Sequence, residues 1–209
     1  MTDSSSASAD PRLDLINRVL AELPCPLVGS VAYDGQKHTK TCTAKAFEAF
    51  TDCYTLLRPR RVLEIGTHAG GSALMTLALT DASVFSVDIG HTWIEREHSF
   101  DTWGVPSKEG GLDKVTHVLQ GHFPGRFTQL VGDSTSQATR DKLRMANALE
   151  HFTLAFIDGD HSFDYVRSDI RFARELGIEI LIVDDLNSAD GSDVLRAVKE
   201  EGLVLVKEW

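Results

Sequence analysis

The chain has 209 residues, 42% of them hydrophobic and 25% charged, which suits one soluble globular domain with a full core, with or without an appended segment. A formal charge of −10 disfavours a nucleic-acid substrate, because phosphate binding calls for a basic surface. No run approaches ~20 uninterrupted apolar residues, which argues against a membrane-spanning helix.

Residues 1–11 carry neither a basic start nor an apolar stretch, so they are not expected to form a signal peptide and read as a disordered lead-in. Cys25, Cys42 and Cys53 are odd in number and lack metal-ligand spacing, which fits a reduced, cytoplasmic protein. Leu13, Ile16, Val19 and Leu20 recur at helical spacing until Pro24 and Pro26 intervene. Residues 27–42 read as a loop. A second helix follows, with Ala44, Phe47, Phe50, Tyr54 and Leu57 on one face, stopped near Pro59. From there strands and helices alternate. Strands are predicted over Arg61–Ile65, Val84–Val87, Phe127–Val131, Phe152–Ile157, Ile178–Val183 and Leu203–Val206. Helices are predicted from about Gly71 to Leu79, then over Leu112–Leu119, Ala138–Leu149, Phe163–Leu176 (with Gly177 as its stop) and Asp193–Glu200. This alternation predicts an α/β fold, a doubly wound and mostly parallel sheet with helices on both faces. The connection 89–126 is far longer than the usual few residues. Its portion 91–110, which holds His91, Trp93, His98, Phe100 and Trp103, reads either as a lid or substrate-binding insertion or as a surface excursion that packs aromatics on the core.

The chemistry begins at Val62-Leu63-Glu64-Ile65-Gly66-Thr67-His68-Ala69-Gly70-Gly71-Ser72. An apolar strand carries an acid near its end, then a glycine loop, then a helix whose first N–H groups can meet an anion. The spacing Gly66-x-x-x-Gly70 is not that of a pyrophosphate binder, and Glu64 would repel a diphosphate while suiting an ammonium group. Acids also end the following strands: Asp88, Asp133, Asp158 and the pair Asp184-Asp185. In a parallel sheet these ends converge on the edge where ligands bind. One such acid is an ordinary helix cap, but capping alone does not account for a run of five strands.

The glycine motif resembles motif I of the class I S-adenosylmethionine (SAM) methyltransferases, and Gly70-Gly71-Ser72 is similar to the form found in catechol and caffeoyl-CoA O-methyltransferases. The run Phe156-Ile157-Asp158-Gly159-Asp160-His161-Ser162-Phe163, with Val183-Asp184-Asp185 downstream, resembles the divalent-metal O-methyltransferases of the macrocin and mycinamicin type. The resemblance covers roughly residues 40–206. It implies a Rossmann-like methyltransferase domain over 12–209, with a helical or lid segment at 12–58, the insertion at 89–126 and a C-terminal strand pair shortened in this chain. For the cofactor it implies Glu64 near the SAM amino group, room made by Gly66 and Gly70 in the Thr67-containing loop, and Ser72 at the carboxylate. It further implies Asp88 on the ribose hydroxyls, Asp133 and Ser134 at the adenine, and Asp158 beside the cofactor. For the metal it implies Mg2+ (or Mn2+) on Asp158, Asp184 and Asp185, and for the chemistry His161 as general base. The physics of the residues agrees, since hard cations take carboxylate oxygens and crowded carboxylates repel without one. Asp160 is a candidate cap and Asn187 a candidate substrate contact. The expected activity is O-methyl transfer to a hydroxyl of a small molecule, a sugar or polyphenol of a natural product, with a homodimer allowed as the assembly. A metal-independent N- or O-methyltransferase, a nucleotide-dependent oxidoreductase and a SAM-binding protein without catalysis remain as alternatives.

Overall fold

The structure is a computed structural model, and it describes residues 10–23, 44–90, 111–186 and 191–204. Helix α1 (Pro11–Glu22) begins at Asp10, whose side chain accepts the Arg12 N–H at 2.9 Å, with Pro11 in the first turn. Helix α2 (Ala44–Leu57) precedes strand β1 (Arg61–Ile65). Then follow α3 (Gly71–Leu79), β2 (Ser83–Asp88), α4 (Gly111–His122), β3 (Phe127–Val131), α5 (Gln137–Leu149), β4 (Leu154–Ile157), α6 (Phe163–Glu175), β5 (Leu181–Val183) and α7 (Gly191–Glu200). No described helix is long and apolar enough to cross a membrane.

The five strands form one sheet in the order β3-β2-β1-β4-β5, every pair parallel. The chain winds outward from β1 through β2 to β3, then returns to the other side of β1 for β4 and β5. That reversal places the ligand crevice at the carboxyl ends of β1 and β4. Side chains alternate faces along β1. Val62 packs with Ile16, Leu20, Leu74, Val115 and Leu119 under α1–α4, whereas Leu63 and Ile65 pack with Leu143, Val166, Ile170 and Ala197 under α5–α7. The ladder continues one residue past the strand ends. Gly66 N–H donates to Val87 O at 2.9 Å, Asp158 N–H to Ile65 O at 2.8 Å, Asp184 N–H to Ile157 O at 3.1 Å and Gly132 N–H to Asp88 O at 2.9 Å. These bonds hold the acid-bearing strand ends level along one edge of the sheet.

Several boundaries differ from the sequence reading, and three of the differences have a hydrogen-bonding cause. Strand β4 starts at Leu154, because the Phe152 N–H goes to Asn147 Oδ1 at 2.8 Å and turns the chain into the sheet. Strand β5 starts at Leu181, because Ile178 N–H closes onto Ala173 O at 3.1 Å in the turn after α6 that Gly177 (φ +79°) makes. Leu203 and Val204 lie in no strand, since Leu203 N–H returns to Val198 O at 3.2 Å. The rest of that expected strand, the lead-in 1–9, the loop 27–42 and the insertion 91–110 lie outside the described residues.

Candidate functional site

Register explains the first part of the site. Glu64 pairs with Ser86 and Ser86 with Gln129, so three polar residues lie in one row across β1, β2 and β3, on the face covered by α3. Glu64 is buried, and both its oxygens are taken: Ser72 Oγ donates to Oε1 at 2.6 Å and Ser86 Oγ donates to Oε2. Burial outweighs these bonds and pushes the carboxyl up to about 7. Above the row, Thr67 Oγ1 lies 2.7 Å from Ser86 Oγ and accepts from Gln129 Nε2 at 2.9 Å. The loop is braced from β2. Thr67 N–H and His68 N–H donate to Asp88 Oδ2 at 2.9 and 3.0 Å, and Gly90 N–H donates to Oδ1 at 2.7 Å. Asp88 thus holds the glycine loop in shape, and His68 at φ +45° owes its left-handed conformation to that brace.

The two motif glycines serve the protein's own packing. Gly66 has φ +96°, and a Cβ there would lie 2.0 Å from Asp158 O. Gly70 has φ +80°, and a Cβ would lie 2.6 Å from Val115 Cγ1 on α4. Bare backbone at Gly66 is what lets β1 meet the start of the Asp158 turn, so the space it keeps free is occupied by Asp158 itself. Among the described residues no side chain caps α3 at Gly70.

After β3, Asp133 Oδ1 accepts from Thr135 N–H and Thr135 Oγ1, both at 2.7 Å, in a local turn. Ser134 is tied to α5, its carbonyl accepting from Arg140 Nε at 2.9 Å.

At the crevice itself, His161 Nε2 lies 3.3 Å from Asp158 Oδ1 and 3.2 Å from Asp185 Oδ2. Asp158 follows β4, His161 the turn before α6, and Asp185 the end of β5. Asp185 has φ +59°, a left-handed conformation that Asp tolerates better than most residues. One donor atom from each of the three lies within 4.8 Å of the others, whereas Asp184 stands outside this group and accepts the Asp185 N–H at 2.8 Å. The sequence reading expects the cation on Asp158, Asp184 and Asp185 with His161 beside them as the base, whereas the group that the structure brings together contains His161 and omits Asp184. Burial pushes Asp158 up to about 6, and the hydrogen bond that the His161 imidazole donates to Asp158, together with the neighbouring carboxylates, raises the imidazole. Two carboxylates and one imidazole on a half-open edge are a donor set that fits a divalent cation. Asp160 Oδ1 accepts Ser162 N–H at 2.8 Å at the entry to α6. Asn187 lies outside the described residues.

Sequence reasoning missed Ser86, Gln129 and Asp169. Each left a trace: a polar residue inside a strand for the first two, and an acid on the stripe Val166, Asp169, Ile170, Ala173 for the third.

A methyltransferase domain family model matches residues 63–179. A search of curated protein sequences gives no match. Among solved structures, cofactor-bound Rv0187 from MTB is 18% identical, with TM-score 0.54 over 96% of this chain and 81% of that one. The O-methyltransferase from Bacillus cereus in complex with SAH is 15% identical, with TM-score 0.53 over 94% of this chain and 79% of that one. At such identities the likeness is one of fold. The family model spans more than half of the sequence, from the first strand to the turn before the last, and on that ground the chain belongs to the methyltransferase domain family, as a SAM-dependent methyltransferase of class I.

Proposed function

We propose that this protein is a divalent-metal-assisted O-methyltransferase that transfers the SAM methyl group to a hydroxyl of a small molecule, a sugar or polyphenol of a natural product. The observation that carries the reading is His161 Nε2 set between Asp158 Oδ1 and Asp185 Oδ2 at 3.3 and 3.2 Å. The acid-lined edge also favours a cationic cofactor over a diphosphate. In this reading Ser72 and the open start of α3 hold the cofactor's carboxylate, Asp88 meets the ribose, and Asp133 with Ser134 meets the adenine. Glu64 acts from behind by holding Ser72. Thr67 carries the N–H that binds Asp88, while Gly66 and Gly70 shape the loop. Asp158 and Asp185 would hold the cation, with Asp184 as the neighbour that completes the acidic corner. A divalent cation there would supply Lewis-acid polarisation of the substrate hydroxyl. His161 takes the hydroxyl proton at Nε2, and the two flanking carboxylates stabilise the imidazolium. The first 40 residues and the insertion 91–110 are the parts proposed to select the acceptor, within one domain over 12–209.

The same geometry favours a second reading, in which His161 is itself a metal ligand in place of Asp184, since the donor group contains the one and omits the other. The deciding experiment measures methyl transfer with EDTA, then with added Mg2+ or Mn2+. Loss and recovery of turnover are expected, and full activity in chelator overturns the metal reading. In His161→Ala, turnover should fall roughly 10²–10⁴-fold with metal affinity kept if the histidine is the base. Loss of both in step makes it a ligand.

A further inference from the structure

The hydroxyls of Tyr54 on α2 and Thr76 on α3 have no task in the chemistry above. Both residues are buried, at 3% and 2% exposure, and Tyr54 belongs to the apolar core that Leu74 and Leu77 of α3 share. A phenylalanine and a valine would fill the same space without burying hydroxyls, and exchanging both partners of such a pair for apolar groups of the same shape is nearly neutral for stability. What the two hydroxyls add is a connection. Thr76 Oγ1 donates to Ser72 O, one turn back along α3, at 3.0 Å, and it lies 2.6 Å from Tyr54 Oη. A threonine hydroxyl has one proton, so with that proton on Ser72 O the bond within the pair is donated by Tyr54. Burial pushes the Tyr54 phenol well above its ordinary value, which keeps its proton in place. At the far end of the chain, Ser72 Oγ donates to Glu64 Oε1 at 2.6 Å. Ser72 is therefore held at both of its oxygens, from β1 through the hydroxyl and from α2 through the carbonyl.

We infer that Tyr54 is a positioning residue for the amino-acid end of the cofactor: through Thr76 Oγ1 its hydroxyl fixes the backbone at Ser72 and with it the direction of the Ser72 side chain. The inference rests on the assignment of Ser72 to the cofactor's carboxylate proposed above. It differs from a general packing role in one measurable way. A packing defect between α2 and α3 weakens every cofactor analogue alike, whereas a displaced Ser72 weakens only those that carry the amino acid.

The test compares dissociation constants of S-adenosylhomocysteine and 5′-methylthioadenosine, which has the nucleoside and the sulfur but no amino acid, for the full chain and its variants. Wild type is expected to prefer S-adenosylhomocysteine. Tyr54→Phe should reduce that preference about three- to tenfold, the worth of one hydrogen bond, with 5′-methylthioadenosine bound as before. Thr76→Val should reduce it likewise, and Thr76→Ser, which keeps the hydroxyl, should retain it. The double variant Tyr54→Phe, Thr76→Val should lose no more than the larger single loss, because one path cannot be cut twice. Should Tyr54→Phe not fold, Thr76→Val is read for the same ratio. An unchanged ratio in the folded variants, with S-adenosylhomocysteine still bound, overturns the inference alone, as do losses that add in the double variant or a Thr76→Ser that behaves as Thr76→Val. Wild type that binds neither compound, or both equally, overturns the cofactor reading beneath it.

Discussion

At the scale of single residues, the contrast between Asp184 and Asp185 is the sharpest consequence of the structure. The two are adjacent in sequence, yet the left-handed turn at Asp185 brings only its carboxylate to His161. Asp185→Ala should therefore weaken Mg2+ binding, measured by calorimetry, by at least tenfold more than Asp184→Ala, since it removes a charged donor from the cluster. Equal effects would return both acids to the same role. Glu64 offers a second test, through pH. Its ordinary value is 4.5 and its folded value about 7, so the folded state holds a proton that the unfolded state releases across that window. Stability should be full below 4.5, fall as pH rises toward 7 and then level off. The loss is on the order of 3 kcal/mol, and urea titrations of Glu64→Gln should show that slope flattened. The acid of motif I was plain in the sequence. Its enclosure by Ser72 and Ser86 was not, because that depends on the register of β1 against β2 and on where α3 lies over them.

At the scale of elements, the contact between the ends of β1 and β4 depends on bare backbone at Gly66. Gly66→Ala should destabilise the protein by roughly 2–5 kcal/mol, combining a collision with Asp158 O and a left-handed conformation. Gly177→Ala is the control. It shares the left-handed φ of +79° but has nothing within 4 Å of the added Cβ, and should cost only about 1 kcal/mol. Chemical denaturation of both variants separates collision from strain. If the two cost the same, the close approach of the strands is not what Gly66 provides. Apolar runs made β1 and β3 readable to the residue, and helix periodicity located α3, α5 and α6 to within a residue or so. The starts of β4 and β5 were not readable, because Asn147 and Ala173, on the preceding helices, capture the N–H groups of Phe152 and Ile178.

At the scale of the whole molecule, a SAM-dependent methyltransferase should be stabilised by its product. S-adenosylhomocysteine at a hundredfold excess over its dissociation constant should add about 2.7 kcal/mol, read as a rise in melting temperature with ligand concentration. The rise should persist in EDTA, because the proposed cofactor contacts lie at the start of α3, at the end of β2 and in the loop after β3, and the proposed cation contacts on the turns after β4 and β5. A rise abolished by chelator would join the two sites into one. The sequence by itself determined the fold class, the parallel sheet and the convergence of acids on its carboxyl edge. Strand alternation and strand-end acids are local patterns, and parallel connection carries them all to one side. Only the tertiary structure decided which acids face one another. It set His161 between Asp158 and Asp185 and left Asp184 aside, enclosed Glu64 in serines and buried Asp169 on the inner stripe of α6. Those pairings depend on backbone angles at single turns and on the register between strands that lie far apart in sequence, and neither leaves a periodic signal in the chain.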